Sequence, residues 1–192
     1  MAIKEIAIDP KTWTDNKNVH RELFYLEKVN GHALIVQLYG LIMEETAIHL
    51  VMEYVAGGSL FHFLHNTRDE LTYSQAITLL RQAAEALAYL HSFEIIHRDV
   101  KSQNMLLDAE RRNLKICDFG FVRELEKDMT KGKGTPLYMA PELATVGSYS
   151  SKCDVYSMGI TIWEVLAREI PYESPKVYGP LWMILNLIVR IN

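Results

Sequence analysis

Two cysteines in 192 residues leave no material for a disulfide scaffold and suit a reducing compartment. Six prolines and ten glycines are too few for a fibrous or low-complexity chain. Basic charge is not in excess: 20 Lys and Arg stand against 24 Asp and Glu, a formal net charge of −4. That balance argues against nucleic acid or an anionic membrane as the main partner. Long apolar runs are missing too. The longest, Leu181–Val189, is broken by Asn186 and falls far short of the ~20 residues that cross a bilayer. Lys4, Glu5 and Asp9 interrupt the apolar opening, so Met1–Pro10 does not read as a secretory leader. What remains is 49% hydrophobic and 23% charged, an ordinary globular composition. One domain in the cytoplasm, with no membrane span, is the expectation.

Periodicity predicts a small β-rich front and a helical back. Met1–Ile8, Leu34–Ile42 and Ile48–Val55 read as strands. Val19–Val29 reads as a helix with Asn18 as its N-cap and Val19, Leu23, Leu26 and Val29 on one stripe. After Gly57 and Gly58, Ser59–His65 is a short helix and Ser74–His91 a long one. Ala76, Leu79, Leu80, Ala83, Ala84, Leu87 and Leu90 fall at helical intervals in the latter. Ile95–Pro141 is expected to be short strands and loops. Asp154–Ala167 is apolar on nearly every face and is expected to be buried on all sides.

The chemistry-bearing residues gather in the irregular stretch. His97-Arg98-Asp99-Val100-Lys101-Ser102-Gln103-Asn104 lies between the long helix and an apolar strand, Met105–Leu107. Asp118-Phe119-Gly120 follows beyond a second apolar strand, Leu114–Cys117, and Ala140-Pro141-Glu142 closes the segment. At the front, Ala2-Ile3-Lys4 lies in the Met1–Ile8 strand. A carboxylate beside an incoming hydroxyl, oxygen donors for a hard cation, and lysines near phosphate oxygens are what phosphoryl transfer requires.

This ordered set resembles the eukaryotic protein kinase signature, H-R-D-L-x-x-x-N, D-F-G and A-P-E, with Ala2-Ile3-Lys4 similar to the end of its V-A-I-K strand. The resemblance implies an α+β, two-lobed fold: a small antiparallel sheet lobe and a larger, mainly helical one. It implies transfer of the ATP γ-phosphoryl group to a protein hydroxyl. Asp99 would be the catalytic base and Lys101 the γ-phosphate cation, with Asn104 and Asp118 as Mg²⁺ ligands. Lys4 would hold the α- and β-phosphates, with Glu22 as its ionic partner and Glu27 as the competitor. Met52, Glu53 and Val55 would form the hinge against adenine, with Leu106 also in the ATP-binding set. Arg98, Phe119, Thr130, Thr135, Glu142 and Asp154 would carry regulation: Thr130 as a phosphosite facing Arg98, Thr135 as a positioning hydroxyl, and Asp154 holding the catalytic loop.

Lys101 and Gly134–Met139 resemble the serine/threonine type. MEYVAGGSLFHFLH, LKICDFG and MTKGKGT…MAPE resemble the transforming-growth-factor-β-activated branch of the MAP kinase kinase kinases. The partners implied are MAP kinase kinases as substrates in stress or immune signalling, with activator or adaptor subunits. Two departures stand out. No Gly-x-Gly-x-x-Gly loop precedes Lys4, and no terminal helix supplies an Arg for Glu142. The chain is therefore expected to be one incomplete kinase domain over 1–192, lacking the first two strands. Residues 1–55 would be the small lobe and hinge and 56–192 the large lobe. The same departures imply a poor catalyst with an open sheet edge, and leave a non-catalytic binding module as the alternative. A small-molecule phosphotransferase is disfavoured by the GTPLYMAPE segment.

Plainer roles compete at several positions. Lys4 could be a strand-edge lysine and Glu22 a helix-surface acid. His97 is expected to pack beneath Phe119 rather than act as a base. His62 and His65 are expected at the surface, since no carboxylate or Cys clusters beside them in sequence. Cys117 is expected to be an inert buried thiol, Cys153 is given no role, and Asp154 could simply be an N-cap.

Overall fold

The computed structural model describes residues 1–7, 17–120, 123–124, 136–145 and 150–172. Strand β1, Ala2–Ala7, alternates half-buried and exposed residues, as its pattern requires. Helix α1, Lys17–Lys28, begins one residue ahead of Asn18, which lies in its first turn rather than at the cap. Strands β2, Leu38–Met43, and β3, Ala47–Met52, complete a three-stranded antiparallel sheet of order β1-β3-β2. In that register Lys4 is opposite Leu50 and Ala2 opposite Met52.

The remaining elements are mainly helical. Helix α2, Leu60–His65, is capped by the Ser59 hydroxyl, which accepts from His62 N at 3.1 Å. Helix α3, Tyr73–Ser92, opens with a Thr72/Gln75 capping box. Short strands β4, Ile95–Ile96, β5, Met105–Leu107, β6, Leu114–Ile116, and β7, Arg123–Glu124, pair as β4 with β7 and β5 with β6. Helices α4, Pro141–Thr145, and α5, Lys152–Ala167, follow.

Three expectations change. The apolar run Leu34–Ile42 divides, because its first residues are consumed elsewhere. Val36 N donates to Ile116 O at 3.0 Å and Ile116 N to Leu34 O at 2.9 Å, tying this segment to β6, so the strand starts at Leu38. In α3, Ala84 is exposed, whereas Gln82 is buried. Its amide accepts from Leu114 N at 2.7 Å and donates to Arg112 O at 3.2 Å, replacing the water it gives up.

The third concerns α5. It is not buried on all sides: Val155, Ile162, Trp163 and Leu166 are 38–63% exposed. Its buried stripe instead holds Asp154, Ser157, Thr161 and Glu164 beside Cys153, Met158 and Val165. A helix that turns polar groups inward must be supplying hydrogen bonds there. Its N-cap position is Ser151, so Asp154 sits inside the first turn and is not the cap.

The principal core joins the two parts of the molecule. Leu26 and Val29 of α1 and Leu50 of β3 belong to the same buried cluster as Leu79 and Leu87 of α3 and Ile116 of β6. Gly57 makes the crossover from sheet to helices possible. A Cβ there would stand 2.0 Å from Asp108 O, and Gly57 N donates to Leu107 O at 2.8 Å.

Candidate active site

The loop 97–104 is held from below by Asp154. The first residues of this loop follow directly on β4 with unpaired backbone N–H groups, and a buried carboxylate can accept two of them. His97 N donates to Asp154 Oδ2 at 2.9 Å and Arg98 N to Oδ1 at 2.8 Å. His91, in the last turn of α3, brings Nε2 to 2.8 Å from the same Oδ2. Arg98 takes φ +68°, a left-handed conformation that a non-glycine residue keeps only where its surroundings enforce it.

That anchoring presents Asp99. Its side chain is 2% exposed, and Lys101 Nζ lies 2.7 Å from Oδ2. Asn104 donates Nδ2 to both Asp99 O and Asp99 Oδ2, at 2.8 and 2.9 Å. His97 cannot serve as a base here. Asp99 N donates to its Nδ1 at 3.3 Å, which places the ring proton on Nε2, 3.1 Å from Cys117 O. The ring is fully buried and meets Phe119 edge-on, with centroids 5.6 Å apart.

Opposite the loop, a cavity of about 210 Å³ opens between the sheet and β5–β6, lined by Lys4, Leu26, Val36, Met52, Leu106 and Asp118 among others. Lys4 Nζ reaches Asp118 Oδ1 at 3.1 Å across its mouth, with both side chains 36% exposed. Asp118 also takes a left-handed φ of +63°, and its Oδ1 accepts from Gly120 N at 3.3 Å. Cys117 lines the same cavity. Burial, then the charge of Asp118, push its thiol up to about 12, so at neutral pH it is a protonated, unreactive group.

Residues 53–55, following β3, supply the remaining polarity. Glu53 N is already given to Gln37 O at 2.9 Å, while the Glu53 side chain accepts from Lys115 Nζ at 2.8 Å and from Gln37 N. The Glu53 carbonyl and the Val55 N–H make no hydrogen bond to a described residue. They form an acceptor and a donor of the kind that a purine edge would pair with. Val55 lines a recess with Asp108 and Asn113, not the Lys4 cavity.

Residues 1–191 match the family model for the protein kinase domain. The chain belongs to the protein kinase family. Among relatives, it is 42% identical over 178 residues to a mitogen-activated protein kinase kinase kinase 7-like protein of Drosophila melanogaster, covering 91% of this chain and 45% of that protein. It is 40% identical over 190 residues to mitogen-activated protein kinase kinase kinase 7 of Homo sapiens, covering 96% and 30%. It is 36% identical over 173 residues to mitogen-activated protein kinase kinase kinase mom-4 of Caenorhabditis elegans, covering 88% and 32%. The chain thus spans less than half the length of these relatives.

Kinase family members use ATP and a divalent cation, and the donor set here fits the cation. Asn104 spends its amide hydrogens on Asp99, which leaves Oδ1 as a lone-pair donor, and Asp118 Oδ2 has no partner among the described residues. Two hard oxygen donors suit a cation that completes its shell with phosphate and water. No group of three or more His, Cys, Asp and Glu able to hold a metal occurs among the described residues.

Of the motif residues, Lys4, Met52, Glu53, Leu106 and Asp118 line the cavity. Asp99, Lys101 and Asn104 contact one another, and Asn104 O accepts from Cys117 N at 3.0 Å, next to Asp118. Phe119 is buried, and Glu142, half-buried in α4, makes no ion pair with a described residue. The side chain of Glu22, in α1, and all of Thr130 and Thr135 lie outside the described residues. His65 is not a surface residue. Its side chain is 11% exposed and its Nε2 lies 3.0 Å from Oε1 of the buried Glu164 in α5. Neither Glu164 nor His91 was singled out by sequence, although an acid inside an otherwise apolar helix is a signal that could have found Glu164.

Proposed function

We propose that this chain transfers the γ-phosphoryl group of ATP, as its Mg²⁺ complex, to the hydroxyl of a serine or threonine in a protein. The observation that carries this is the contact of Lys101 and Asn104 with the Asp99 carboxylate, together with the Lys4–Asp118 pair lining the cavity. When bound, ATP and Mg²⁺ supply the transferable group and the positive charge that offsets its oxygens. Asp99 orients the incoming hydroxyl and accepts its proton. Lys101 stabilises charge developing on the transferred group, and Asn104 and Asp118 offer the cation their remaining oxygens. Lys4 takes the α- and β-phosphates, with Glu22 as its acid partner, and the Glu53 carbonyl and Val55 N–H take the base. Residues 1–55 then act as small lobe and hinge and 56–192 as large lobe. Thr130 is the regulatory phosphosite of this reading and Arg98 the cation it meets, with Thr135 and Glu142 in supporting roles.

The substrates of this reading are MAP kinase kinases, supported by the names of the relatives. No described helix is long and apolar enough to cross a membrane. A cytoplasmic location is supported by the two free cysteines. The test is transfer of γ-labelled phosphate from ATP to a MAP kinase kinase, followed by phosphoamino-acid analysis. Metal-dependent label on Ser or Thr is expected, with a fall of ~10²-fold or more in Asp99→Asn. Label confined to Tyr, or an undiminished Asp99→Asn, overturns the reading.

A further inference from the structure

Helix α5 turns two carboxyl groups toward the catalytic loop. Asp154 holds its start; Glu164, ten residues further along and fully buried, holds its end. Glu164 Oε1 accepts from the Ser102 hydroxyl at 2.7 Å and lies 3.0 Å from His65 Nε2, in the last turn of α2. Glu164 Oε2 is buried with no hydrogen-bond partner. A fully buried carboxyl group held on so few contacts contributes little net stability, so packing alone does not account for it. Its surroundings are polar as well. Burial, then the charge of Glu164, push the neighbouring Tyr138 phenol well above its ordinary range, which keeps that hydroxyl protonated.

What the two contacts accomplish is a mechanical link. Ser102 opens the 3₁₀ turn Ser102–Asn104, closed by Asn104 N donating to Lys101 O at 3.0 Å. On either side of it, Lys101 Nζ and Asn104 Nδ2 both touch Asp99 Oδ2. A Ser102 fixed to α5 therefore fixes both residues that frame the Asp99 carboxylate. With His65 present, Oε1 is held from two directions. Without it, Oε1 keeps the Ser102 hydroxyl, and the buried carboxyl can relax toward other partners such as the neighbouring Tyr138 phenol.

We propose that His65 is a positioning residue: through Glu164 it holds Ser102, and with it the turn that brings Lys101 and Asn104 onto Asp99. The kinetic consequence rests on the phosphotransferase reading above; the ordering of the loop does not.

The test uses the full 192-residue chain and three variants. His65→Phe keeps a ring against Phe61, whose centroid is 4.7 Å from that of His65, but removes the nitrogen facing Glu164. His65→Gln restores an N–H donor, and Ser102→Ala removes the other end of the link. His65→Phe is expected to lower kcat by about tenfold or more with KM for ATP within about twofold, since misplacement of this order is felt in turnover. It is also expected to speed amide exchange at Asn104. His65→Gln should recover both, and adding Ser102→Ala to His65→Phe should cost little more, because both act through one oxygen.

An unchanged kcat with unchanged Asn104 exchange in His65→Phe overturns the proposal, as does a His65→Gln variant as impaired as the Phe one. If His65→Phe does not fold, Ser102→Ala decides: faster Asn104 exchange supports the link and unchanged exchange overturns it. If the unsubstituted chain transfers no phosphate, the functional reading fails, and the exchange comparison alone decides this one.

Discussion

The two walls of the site are built differently. On the sheet side, Lys4 meets Asp118 at 3.1 Å with both side chains 36% exposed, on a strand at the edge of the described sheet. On the helical side, Asp99 is almost completely buried, and the backbone before it is held by a fully buried Asp154. An ion pair in contact with water contributes ~0–1 kcal/mol, whereas removing one partner of a buried charged network costs about 3–5 kcal/mol. Asp99 and the loop backbone before it are therefore held rigidly, and Lys4 is held by a contact that can open and re-form. On the proposed reading, this division suits a wall that must admit and release a nucleotide.

Substitutions can break that contrast, starting with the largest effect. Asp154→Ala leaves two loop amides and the His91 ring without their acceptor. It is expected to lower unfolding free energy by about 3–5 kcal/mol in denaturant titration, together with loss of turnover. Gly57→Ala places a methyl group 2.0 Å from the Asp108 carbonyl and should lower stability by about 1–3 kcal/mol, the range for overpacking against backbone.

Lys4→Met sharpens the comparison from the other side. Its stability is expected within ~1 kcal/mol of the unsubstituted chain, while phosphoryl transfer falls steeply. The smallest effect concerns Cys117. Since its pKa stands near 12, the thiolate is scarce at pH 8, and iodoacetamide should leave Cys117 unlabelled in the folded chain by mass spectrometry. Substantial labelling at pH 8 would show that the cavity opens further than this structure implies.

Legibility in the sequence followed the same division. Motif residues with local chemistry stood out: Lys101 and Asn104 contact Asp99, and Lys4 pairs with Asp118 at the cavity. The helices were also readable, because α2 and α3 carry caps and apolar periodicity. What escaped was residue use that depends on long-range packing. Leu34–Val36 looks like the start of a strand, but it pairs with β6 more than seventy residues later. Helix α5 looks uniformly apolar, but its polar minority faces inward, toward a loop that periodicity does not locate. His65 looks like a surface residue until the fold brings Glu164 beneath it, ninety-nine positions away.

Native-state hydrogen exchange on the unsubstituted chain tests the contrast between the two walls most directly. The amides of His97 and Arg98, both donated to Asp154, should exchange among the slowest in the molecule, through global unfolding. Those of β1 that pair with β3 should exchange faster, through local opening of the sheet edge. His97 and Arg98 amides that exchange as fast as those of β1 would contradict the account.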